Sequence, residues 1–139
     1  MTVDSEIIFA LAARSRGRTA RALKQLVGAM ATAWLDEARP ELLLARGMGR
    51  PLWIGTTRGA LFFGSTRHTL ELVERYAAVS LRKRELPLGT VVAVEHGKVV
   101  GRASFKPDLT FEEEPLPTVR APQEREATLQ RLAALYAAA

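Results

Sequence analysis

The chain reads as an α+β protein, in which helical segments alternate with two blocks of short paired strands. Three observations carry this reading. Apolar residues recur at three- and four-residue spacing in Ile7–Ala12, Ala20–Val27 and Leu70–Ala77, as on one face of a helix. From Ala29 the period shortens, and short apolar runs are separated by tight-turn sequences such as Thr57-Arg58-Gly59 and His96-Gly97. At 139 residues, 47% apolar and 25% charged, the chain has the length and composition of one soluble domain with a core of its own.

The first helix is expected behind Asp4, whose carboxylate can accept the free amides of a first turn, with Ile7, Ile8, Leu11 and Ala12 as its apolar stripe. Gly17 interrupts the pattern. Thr19 is expected to cap a second helix that carries Ala20, Leu23 and Val27 on one face and stops at Gly28. Strands are expected at Ala29–Leu35 and Glu41–Arg46 around a polar Asp36–Pro40 turn, and at Leu52–Thr56 and Ala60–Phe63. Thr66 can cap a third helix with Leu70, Val73 and Ala77 in one stripe, widened by Leu72 and Tyr76. Val79–Lys83, Thr90–Glu95 and Lys98–Phe105 read as the remaining strands.

Three regions follow. Residues 1–105 form the main body. Residues 106–122 hold Pro107, Pro115, Pro117 and Pro122 around Glu112-Glu113-Glu114 and read as an extended arm. Residues 123–139 read as an amphipathic helix with Leu129, Leu132, Leu135 and Tyr136 apolar. Such a terminal helix docks on its own core or on a partner.

Composition narrows the function. No apolar run approaches the ~20 residues needed to cross a bilayer. Asp4 and Glu6 precede the apolar Ile7–Leu11 run, where a secretory leader would be basic, so a cytoplasmic protein is expected. With no cysteine, the chain has no disulfide, no cysteine metal ligand and no cysteine nucleophile. His68 and His96 lack metal-ligand spacing, and the acidic run at 112–114 reads as solvated charge, so neither metal nor cofactor is expected. The net charge of +5 permits attraction to polyanions. Its arginines are scattered, and Arg14–Arg18 and Arg82–Arg84 belong to no nucleic-acid motif, so nucleic acid is not the expected partner.

Three segments in fixed order carry a resemblance: Val27-Gly28-Ala29-Met30-Ala31, Ala45-Arg46-Gly47-Met48-Gly49-Arg50-Pro51-Leu52-Trp53-Ile54-Gly55, and Phe62-Phe63-Gly64-Ser65. Together they resemble the C-terminal half of the class II glutamine amidotransferase domain, the N-terminal-nucleophile glutaminase of glucosamine-6-phosphate synthase and its relatives. The resemblance spans Val3 to Val100. It implies half of an αββα sandwich of the Ntn-hydrolase kind, in which two stacked antiparallel sheets are covered by helices on both outer faces. Leu42-Leu43-Leu44-Ala45, apolar on both faces, suits a middle layer.

Residue by residue the resemblance transfers little chemistry. In Val3-Asp4-Ser5-Glu6-Ile7-Ile8 the family's aspartate, which receives the α-amino group of glutamine, falls on Asp4. A plain helix cap needs the same geometry, so both readings of Asp4 stand. Arg46 and Gly55 are expected to be architectural, as is the Leu86–Val91 turn, where Thr90 replaces the family's usual acidic residue. Thr66 likewise replaces a usual aspartate. The family's terminal cysteine, its asparagine-glycine oxyanion pair and its arginine, threonine and histidine for the glutamine carboxylate have no counterpart. No residue of this chain is therefore assigned as catalytic. Thr2, even as a new N-terminus, lies on the wrong segment to serve as the nucleophile.

The expected function is that of an amidotransferase-like protein without its nucleophile half, inactive alone. It would work beside a complementary N-terminal-half chain as one subunit of a split glutaminase, or associate with itself as a homo-oligomer. A non-catalytic scaffold or regulatory binder derived from the fold is the alternative, and a basic nucleic-acid-binding protein a more remote one.

Overall fold

The computed structural model describes residues 6–15, 18–37, 39–110, 130–131 and 133–137. Two helices, α1 (Glu6–Arg14) and α2 (Thr19–Leu23), precede two hairpins, β1 (Ala31–Leu35) with β2 (Leu42–Arg46) and β3 (Trp53–Thr56) with β4 (Leu61–Gly64). Helix α3 (Arg67–Ala77) leads to β5 (Arg82–Glu85), β6 (Thr90–Glu95) and β7 (Lys98–Ser104). The strands form two antiparallel sheets, one ordered β1-β2-β6-β7 and the other β4-β3-β5. The protein is thus α+β with two antiparallel sheets.

Strand alternation explains the layering. On β2, Leu43 and Ala45 join one apolar cluster, while Leu42 and Leu44 join another. On β6, Val91 and Ala93 face the first cluster, and Val92 and Val94 the second. The first cluster lies under the helices, receiving Ile8 and Ala12 of α1 and Leu23 of α2. The second lies between the sheets and adds Ile54 of β3 and Leu61 of β4. On the far side of the small sheet, Trp53 and Phe62 meet Leu70 and Val73 of α3. Both middle strands of the large sheet bury both faces, which is why they show no polar alternation.

The two sheets are tied at opposite ends of β6. At its C-terminal end, the His96-Gly97 turn rests on the β3–β4 turn so closely that a Cβ on Gly97 would lie 2.3 Å from the Gly59 carbonyl oxygen. Gly97 also has φ +71°, so backbone approach and conformation both require glycine. At the other end, Arg46 of β2 crosses to the small sheet, its Nη2 lying 2.9 Å from Glu85 Oε1 on β5.

Three expectations need correcting. Helix α2 does not reach Val27: the Gln25 and Leu26 amides bond three residues back, tightening the turn, and Leu26 meets the core while Val27 is 70% exposed. Thr19 is a buried helical residue, and the capping position is Arg18, with no side-chain cap bond. The fifth strand runs over Arg82–Glu85 instead of 79–83, because the apolar Val79 and Leu81 fill the layer beneath α3. By contrast Thr66 caps α3 as expected, its Oγ1 accepting the Thr69 amide at 3.1 Å.

The first five residues, with Asp4, and residues 111–129, which hold most of the expected arm and the start of the terminal helix, lie outside the described residues. Residues 130–131 and 133–137 are helical, and Tyr136 meets Phe62 with ring centroids 5.4 Å apart. At that point the terminal helix packs on its own chain.

Candidate functional site

Asp4, the one residue read as substrate-binding, falls outside the described residues, and α1 opens two positions later at Glu6. What the structure describes is α1 and the cluster on which it packs. Ile8 and Ala12 anchor α1 on a cluster built from Leu23, Met30, Trp34 and Leu43. The residues read as architectural are described in full.

Arg46 ends β2 and bridges the sheets. Its Nη1 donates to the Leu86 carbonyl at 2.5 Å, and its Nη2 pairs with Glu85 Oε1 at 2.9 Å. Two of the three guanidinium nitrogens are therefore committed within the fold, while Nε is buried without a hydrogen-bond partner. Gly55 faces α3: an added Cβ would come within 3.0 Å of Leu81 Cδ1 and 3.4 Å of Leu70 Cδ1. Its role is close packing of a helix on a sheet.

The remaining polar groups organise the fold. Glu74 on α3 accepts the Leu81 amide at 2.7 Å and holds Lys83 Nζ at 2.5 Å, pinning β5 to the helix. The Lys83 hydrogen bond, followed by the Leu81 amide, holds the Glu74 carboxyl below its usual range. The carboxyl of Asp108 is lowered by Thr110, which donates both its hydroxyl and its amide. His68 and His96 are both exposed, each 3.6 Å from a neighbouring glutamate. Among the described residues no group of three histidine, aspartate or glutamate side chains is placed to hold a metal ion.

Sequence reasoning missed two adjoining surface grooves beside α2. One, of about 340 Å³, runs between α1 and α2 past Arg14, Arg18 and Arg21. The other, of about 400 Å³, lies on the outer face of the large sheet between Arg18, Arg21, Arg39 and Arg102. Arg14, Arg18 and Arg21 are close in sequence, and the tertiary fold brings Arg39 and Arg102 to them.

The described fold, α+β with two antiparallel sheets, is compatible with a mixed sandwich. A family model of the glutamine amidotransferase domain matches residues 1–72, from the N-terminal segment through most of α3. The chain belongs to this family. No curated protein matches it. Among the described residues no helix is long and apolar enough to cross a membrane.

Proposed function

We propose that this chain is the substrate-side part of a class II glutamine amidotransferase domain, the C-terminal half of an Ntn-hydrolase-like sandwich, and that it needs residues beyond its own 139 to cut glutamine. One observation carries the reading: the family match includes Asp4, yet none of the 139 residues is a cysteine. The αββα order of layers supports the same assignment.

In this reading Asp4 receives the α-ammonium of glutamine, a charge-assisted contact that orients the carboxamide. The nucleophile is a cysteine at the N-terminus of a preceding segment or a separate polypeptide, with its own amine as general base. Arg46, committed to Glu85 and Leu86, holds the sheets in register and takes no part in the chemistry. The absence of cysteine suits a reducing compartment, and we place the protein in the cytoplasm.

The test is direct. Purified chain incubated with glutamine should release no ammonia, whereas any turnover abolished by Asp4→Ala would overturn the reading by locating a complete site within these residues. A second reading, a self-associating module, rests on the sheet edges. Strands β1, β4 and β7 are edges, and each carries an exposed large apolar residue: Leu35, Phe63 and Val100.

A further inference from the structure

We infer that the groove on the outer face of the large sheet is a binding site for a small organic phosphate of the nucleotide type. The groove encloses about 400 Å³, within the range of small-molecule sites. Among the described residues four arginines line it and no carboxylate does, although Arg102 lines it through its backbone, since it stands opposite Val92, whose side chain lies between the sheets. Arg18 and Arg21 come from the start of α2, Arg39 from the β1–β2 turn, and Arg102 from the edge strand β7. Arg39 pairs with Glu41 at 3.3 Å, but among the described residues no ion pair neutralises Arg18 or Arg21. The two unneutralised guanidinium groups of Arg18 and Arg21, with Arg39 beside the same depression, favour an anion of more than one charge, and their planar donors match phosphate oxygens.

The floor selects the rest of the ligand. It is made of Leu43, Val91 and Ala93, with Gly101 and Ala103 on β7 beyond them. Gly101 stands opposite Ala93, and a Cβ added there would lie 3.4 Å from that of Ala93, in ordinary contact. The floor is thus apolar, and the small residues on β7 leave room for a flat body such as a nucleoside. Among the described residues the lining holds no aromatic side chain on which successive bases of a single strand could stack, so a discrete nucleotide fits better than a polynucleotide. Arg18 and Arg21 also line the adjoining groove with Arg14, which extends the cationic track for further phosphates.

Calorimetric titration of the full chain with adenosine triphosphate and with inorganic pyrophosphate tests this. Adenosine triphosphate should bind with a Kd below about 1 mM, weakened at least about tenfold by Arg18→Ala/Arg21→Ala. Gly101→Val, which fills the floor and removes no charge, should weaken adenosine triphosphate at least about fivefold and leave pyrophosphate within about twofold. Arg82→Ala/Arg84→Ala, which removes the same charge from β5, should change neither ligand by more than about twofold. Thermal melts establish that each variant is folded, and Arg21→Glu replaces the double variant should that one fail. The inference is overturned if wild-type binding is weaker than about 1 mM, or if the β5 pair costs as much as the α2 pair. It also falls if Gly101→Val leaves adenosine triphosphate binding intact, or if a single-stranded oligonucleotide binds more tightly than the nucleotide and is unaffected by that substitution.

Discussion

Ala78 closes α3 with φ +52°, a left-handed conformation in a residue that carries a Cβ. Its amide still reaches the Glu74 carbonyl, so the backbone cap is made without the residue that fits it best. The side chain is exposed, and Ala78→Gly loses no packing. It should stabilise the protein by about 0.5–1 kcal/mol, read as a higher denaturation midpoint at unchanged m-value. Arg46 presents the converse, a donor without an acceptor. Its buried Nε lacks a partner, and Thr90 stands directly opposite across the β2–β6 ladder. Opposed residues hold their Cβ atoms about 4.5–5.5 Å apart, within reach of a carboxylate. Thr90→Asp, the substitution toward the family's usual acidic residue, should be tolerated beside Arg46. It should cost at least about 2 kcal/mol more in an Arg46→Met background, where the buried carboxylate has no counterion. Equal costs in the two backgrounds would refute that coupling.

At the scale of elements, the junction of α3 with β5 has a pH signature. The Glu74 carboxyl is depressed below its ordinary value of 4.5, chiefly by Lys83 and then by the Leu81 amide. A carboxyl depressed on folding contributes stability that is present above the unfolded value and is lost as pH falls through the folded one. Denaturation midpoints of the wild type should therefore fall more steeply below about pH 4.5 than those of Glu74→Gln, and the two curves should approach each other at the acid end. Parallel curves would mean that the ion pair contributes nothing. The same junction marks the limit of what the residues disclose in advance. Strands β2 and β6 were legible because both their faces are buried and almost every position is apolar. Strand β5 was not: its Arg-Lys-Arg-Glu sequence pairs with β3 at a solvent edge, where charge discourages further pairing. The apolar Val79 and Leu81 drew the expected boundary three residues too early. Helix α2 misled for a related reason, since Val27 continues the helical period on a segment that has already unwound.

For the molecule as a whole, edges decide the state of assembly. Strands β1, β4, β5 and β7 each have a single pairing neighbour among the described residues. If the module associates with itself, light scattering should give twice the 15.3 kDa chain mass, and Phe63→Lys on β4 should return it to a monomer. A monomeric wild type would discard self-association. The candidate site was legible only as Asp4, and only through resemblance, because a carboxylate at a helix start has the same sequence signature as a cap and as an ammonium receptor. The arginine groove was legible only in part: the Arg14–Arg18 run stands out in the sequence, while residues 39 and 102 join it through topology alone. The ties at the two ends of β6 have a mechanical consequence. One is backbone against backbone at Gly97 and Gly59, and the other is a guanidinium locked to a carbonyl and a carboxylate. Two plates fastened at both ends of a common beam form a closed box section, which resists sliding far better than either plate alone. Sliding one sheet over the other would therefore have to break the Arg46 contacts to Glu85 and Leu86 and part the Gly97 and Gly59 backbones.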